Sequence, residues 1–169
     1  MSRSTRSGVV SNLLPPKPQV ISALREATHE ALQAMERAQA IAADEATSDE
    51  SKAEGKYDTR ATEAAYLARG QAERVVQLRD LLDWFDRLDP DATCATVRLG
   101  ALVALEGDRS QQLFVCPVGG HAVTVDGVEV KTISLAAPLG RAMVGLAEGD
   151  DLDLETPSGR HELEIAALI

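Results

Sequence analysis

Six carboxylates, Asp44, Glu45, Asp49, Glu50, Glu54 and Asp58, fall in one short stretch of the chain, and only Lys52 and Lys56 oppose them. Carboxylate oxygen is the ligand Mg2+ takes most readily, one or two at a time, with water and phosphate filling the remaining positions. Side chains three or four residues apart on a helical turn reach a common point. Glu50 and Glu54 meet that spacing, with Asp49 as the substitute for the first. The other reading of the same residues is a charged turn that is simply solvated.

The remaining reactive side chains do not assemble. His29, His121 and His161 each lack a second ligand or a nucleophile at useful spacing. Gly119-Gly120 is followed by no Lys-Ser/Thr pair, as a phosphate loop requires. Ser134 and Ser158 lack the pattern of a strained nucleophile turn. The only cysteines, Cys94 and Cys116, sit in apolar strand contexts without metal-like spacing, and two reduced core thiols are expected. The net charge of -10 argues against general nucleic-acid binding through phosphate neutralisation. It is compatible with a protein that enters a basic cavity on a partner.

Two kinds of element must position these residues. After Leu13-Leu14-Pro15-Pro16-Lys17-Pro18, a stiff extended entry, Val20, Leu24, Ala27, Ala31, Ala34, Ala38 and Ile41 recur at helical spacing. A second run, Ala61, Ala65, Ala68, Ala72, Val75, Leu78, Leu82 and Phe85, follows the polar break at residues 46–58. Helices near residues 20–43 and 59–88 should therefore fold back on each other, with the acidic stretch at the far end of an arm roughly 40 Å long. Trp84 and Phe85 are read as packing residues rather than a base-binding pair.

After Asp91 the period changes to two. Val97, Leu99, Ala101, Val103 and Leu105 read as one strand and residues 112–118 as a second. Residues 123–130 read as a hairpin on Asp126-Gly127. Ile133 and Leu135 come next, then a short helix started by Pro138 and running over residues 139–146. A last hairpin turns at Thr156-Pro157-Ser158-Gly159. Val97, Leu99, Phe114, Val123, Ile133, Leu152 and Ile165 are the expected core. The expected organisation is a disordered tail over residues 1–18, an antiparallel coiled-coil arm with an acidic tip over 19–90, and a β-sheet domain over 91–169. Aromatic residues make up only 3% of the chain, and no apolar run is long enough to span a membrane.

The C-terminal pieces, Pro138, Arg141, Gly149, Asp150, Thr156, Pro157 and Gly159, stand in an order and spacing that resembles the C-terminal domain of the Gre factors (GreA/GreB type). These are bacterial proteins that enter the secondary channel of RNA polymerase. The resemblance implies an α+β fold: an N-terminal antiparallel coiled-coil hairpin, then a small antiparallel sheet with one short helix, FKBP-like as in that family. It implies docking on RNA polymerase through Ala136, Ala137, Pro138 and Arg141. The family usually carries an aspartate or asparagine and a serine before the proline, where this chain has two alanines.

The family's tip motif is aspartate, two residues, glutamate, asparagine, one residue, glutamate, tyrosine. Alignment on Tyr57 puts Glu50 at the aspartate, Ala53 at the key glutamate and Glu54 at the asparagine. A one-residue shift pairs Asp49 or Glu50 with Glu54. The resemblance then implies a transcription elongation factor that stimulates cleavage of backtracked RNA, with Asp49, Glu50 and Glu54 as the catalytic carboxylates. Glu50 and Glu54 would hold a Mg2+ shared with the polymerase active centre. RNA would be met only inside the polymerase complex. The chain itself would be a cytoplasmic monomer and not an enzyme. Two alternatives are a channel-binding regulator without cleavage activity and, by fold analogy alone, a prolyl isomerase. The isomerase needs an aromatic-lined pocket, and Phe114 is the only aromatic after Asp91.

Overall fold

A computed structural model describes residues 14–49, 59–108, 110–157 and 159–169. The elements in chain order are α1 (Lys17–Asp49), α2 (Thr59–Arg87), β1 (Leu102–Gly107), β2 (Gln111–Val115), β3 (Ala122–Val125), β4 (Val128–Ile133), α3 (Pro138–Met143), β5 (Asp151–Thr156) and β6 (Gly159–Leu168). The described residues form two compact units, one comprising residues 14–24 together with those of Arg87–Ile169, the other those within Arg25–Asp86.

Within the second unit α1 and α2 run antiparallel. Arg25 pairs with Asp86 at 3.2 Å and Glu36 with Arg79 at 2.6 Å, so numbers rise along one helix as they fall along the other. Both pairs are solvent-exposed, and such pairs contribute little. The seam does more: Leu32, Val75 and Leu78 are buried, with Ala31, Met35 and Leu82 packed against them.

The α2 half of this seam follows the expected spacing from Val75 to Phe85, whereas Ala68 and Ala72 are exposed. The α1 half takes another phase. Ala34, Ala38 and Ile41 lie outside, and Thr28, Leu32 and Met35 turn inward. The physical reason is area: a seam through Leu32 and Met35 removes more apolar surface from water than one through alanines. The expected polar break also starts late, because α1 continues to Asp49. Phe85 is buried and Trp84 half-buried, with ring centroids 5.3 Å apart edge to face, so neither ring stands free for a base. No described helix is long and apolar enough to cross a membrane.

The first unit is built on a six-stranded sheet ordered β3-β4-β2-β1-β6-β5. Its neighbours are antiparallel except β2 and β4, which run parallel from Gln112↔Val130 to Val115↔Ile133. Two hairpins close it. One turns at Asp126 and Gly127, whose φ angles of 51° and 80° make the left-handed pair that an Asp-Gly hairpin needs. The other turns after Pro157, with Gly159 at φ 127°.

β1 is central, and its residues Leu102, Val103, Ala104 and Leu105 are all buried, so both faces of the sheet are covered there. On one face Val103, Leu105, Leu113, Val115, Leu152, Leu163 and Ile165 pack with Val97 and Met143, and Leu139 and Ala142 of α3 lean on them. The other face buries Leu102, Ala104, Phe114, Val130 and Ala167.

Of the expected core, Val97, Phe114, Leu152 and Ile165 are buried, while Val123 and Ile133 are half-buried. Leu99 is a correction: it is 43% exposed. Residues 97–101 are no strand. The Ala101 N–H donates to the Arg98 carbonyl at 3.0 Å, and Gly100 has φ 87°. A turn has no period of two, so alternation there carries no information about burial. The short helix also ends earlier than expected, at Met143. Cys94 and Cys116 are buried free thiols, as expected.

Lys17 in the first turn of α1 is only 4% exposed. Its ammonium donates to the Ala92 carbonyl and, at 3.4 Å, to the Ile169 carbonyl. Burial lowers its pKa below 10.5, chiefly by desolvation. Between that lowered value and 10.5 the unfolded chain binds the more protons, so the Lys17 contribution to stability rises with pH across this window. Lys17→Met should flatten that part of the pH–stability curve, read as urea midpoints in the alkaline range. An unchanged slope would contradict the assignment.

Candidate functional site

The docking residues expected from the sequence converge on one corner. β4 ends at Ile133, the chain turns through Ser134 to Ala137, and α3 begins at Pro138. The Ala137 N–H donates to the Ser134 carbonyl at 3.1 Å, which closes the turn. Pro138 opens the helix, where a missing N–H costs nothing. The Arg141 N–H then donates to the Ala137 carbonyl at 2.9 Å. The Arg141 guanidinium folds back and donates from Nη1 to the Ala136 carbonyl. Ala136, Pro138 and Arg141 are exposed and Ala137 half-buried, so the corner offers its surface to solvent on a pinned backbone.

Gly140 makes this corner possible, although it carries no polar side chain that would draw attention to it. A Cβ there would stand 2.1 Å from the Ser134 carbonyl oxygen and 3.1 Å from the Leu135 Cα. Only glycine lets α3 lie this close to the strand-to-helix turn. The opposite flank is equally tight. The Cys116 N–H donates to the Ile133 carbonyl at 3.0 Å, and the Thr132 N–H to the His121 carbonyl at 2.7 Å. Thr132 Oγ1 accepts the His121 N–H at 2.8 Å. Cys116 Sγ donates to the Val118 carbonyl at 2.9 Å, and burial pushes its thiol up to about 11, so it stays protonated and packs rather than reacts.

One cap is missing. Ala137 occupies the N-cap position of α3 with extended dihedrals, φ -68° and ψ 150°, and makes no side-chain cap bond. Ala137→Ser should supply the bond and raise stability by about 1 kcal/mol, measured as a shift in the urea midpoint. No shift would mean that the geometry there cannot accept a hydroxyl cap.

The acidic stretch lies where α1 hands over to α2. Asp44 is exposed on α1, and Asp49 is its last residue. Glu50 and Glu54 lie outside the described residues. Among the described residues no group of three or more His, Cys, Asp or Glu side chains could hold a metal ion. The chemistry of the Glu50 and Glu54 donors, carboxylate oxygen alone, fits Mg2+ rather than a softer ion.

A cavity of about 560 Å3 lies elsewhere, on the sheet, lined by Glu106, Asp151, Asp153, Glu162 and Glu164 with Arg160. Its carboxylates stand directly opposite one another across the strands, Asp151 against Glu164 and Asp153 against Glu162. The Arg160 guanidinium beside Asp153 lowers that carboxyl's pKa, mainly by hydrogen bonding. Such a face repels phosphate.

Comparison with known proteins matches residues 92–169 to the family described as transcription elongation factor, GreA/GreB, C-terminal. The transcription inhibitor protein Gfh1 of Thermus thermophilus is 34% identical over 114 residues, covering 66% of this chain and 72% of that protein. The transcription elongation factor GreA of Ruegeria pomeroyi is 28% identical over 96 residues, 56% of this chain and 60% of that protein. GreA of Cereibacter sphaeroides is 24% identical over 95 residues, and the match spans 62% of its length. The chain thus matches about three fifths of the length of these GreA relatives. The crystal structure of Thermus aquaticus Gfh1 aligns over 90% of this chain and 94% of its own at 23% identity, with a TM-score of 0.36. The family match contains the whole corner and all six strands, and the Thermus thermophilus relative extends the likeness to two thirds of the chain: it is a divergent member of the Gre-factor family.

Proposed function

We propose that this protein is a secondary-channel transcription factor. It docks on RNA polymerase through the corner at Ala136, Ala137, Pro138 and Arg141, and presents the acidic stretch between α1 and α2 to the active centre, where it stimulates cleavage of backtracked RNA. The observation that carries this reading is the corner itself: four residues expected to dock stand together on a backbone that Gly140 and the Arg141–Ala136 bond hold in place. The polymerase is the enzyme, and the chain lends it carboxylates. Glu50 and Glu54 would hold Mg2+, which when bound assists in-line attack on RNA phosphate. Asp49, at the end of α1, is the substitute ligand. In free solution these charges are cheap; inside a confined channel of low dielectric they act strongly. The protein works as a cytoplasmic monomer and meets RNA only in the complex.

A second reading, a channel-binding regulator that does not stimulate cleavage, is favoured by two observations. The 34%-identical Thermus relative is named a transcription inhibitor. Ala53 also stands where the family's key glutamate is expected. The prolyl isomerase reading loses its one aromatic, because Phe114 is 0% exposed and can line no pocket. The deciding experiment adds the purified chain to a stalled, backtracked elongation complex and follows shortening of the RNA. Faster cleavage supports the first reading. Binding with unchanged or slowed cleavage selects the second, and no binding overturns both.

A further inference from the structure

We draw no further inference here: the strongest candidate, the carboxylate-lined cavity on the sheet face where Glu106, Glu164 and Asp151 stand in line across β1, β6 and β5, is a cluster of acidic residues, and nothing in the structure shows what covers it.

Discussion

Gly140→Ala should cost the sheet-bearing unit about 3 kcal/mol, lower its melting midpoint by roughly 10 °C or more, and abolish docking on the polymerase. The added methyl would meet the Ser134 carbonyl oxygen at 2.1 Å, and that oxygen is backbone, held by the Ala137 N–H. No rotamer change can relieve the clash; α3 must move off the turn, and Met143, which is fully buried, must move with it. Gly70→Ala is the matched control. Gly70 lies inside α2 and a methyl added there would meet nothing within 4 Å, so alanine should stabilise the helix by roughly 0.5–1 kcal/mol. Calorimetry on both variants checks the pair. A Gly140→Ala protein with a native midpoint would show that the corner is not tightly packed.

Glu50→Ala combined with Glu54→Ala should reduce stimulated RNA cleavage to the rate of the polymerase alone, while polymerase affinity stays within about threefold. Removing a pair of metal-ligating carboxylates removes the electrostatic assistance to charge developing on phosphate, an effect worth orders of magnitude in rate. Neither residue belongs to the corner that supplies docking, so affinity is expected to persist. Asp49→Ala alone should have a smaller effect if Glu50 is the ligand, and an equal one if the register is shifted toward Asp49. Cleavage assays and binding titrations on the same preparations separate the outcomes. Undiminished cleavage in the double variant would remove these carboxylates from the mechanism, and loss of binding would move the docking contact to the tip.

Much of the architecture was legible because it follows from local chemistry. Asp126-Gly127 reads as a hairpin because its two residues accept positive φ, and both do. Pro138 starts α3 for the reason its sequence position suggests. The change from helical to alternating spacing near Asp91 separates the helix pair from the sheet. The candidate site was legible in part. Ala136, Ala137, Pro138 and Arg141 could be singled out as a group, and Gly140, which lets α3 close on them, could not. Among the expected core residues, Leu99 misleads for a related reason: an exposed leucine inside an apparently alternating run looks like a core residue until a turn is found there.

Residue order along a single segment thus carried most element types, the two hairpin turns and the family, since each rests on φ preferences and on which side chains recur within a few positions. The rest waits on partners distant in the chain. The α1 seam runs through Leu32 and Met35 because Val75, Leu78 and Leu82 of α2 meet them there, and two phases of one helix are nearly equal until a second helix is packed on it. β4 pairs parallel with β2 because the β3–β4 hairpin adds to the sheet through its second strand, a register with no local signal. Gly140 is indispensable only because Ser134 is carried against it by the end of β4, a non-local contact of packing rather than a preference of glycine itself.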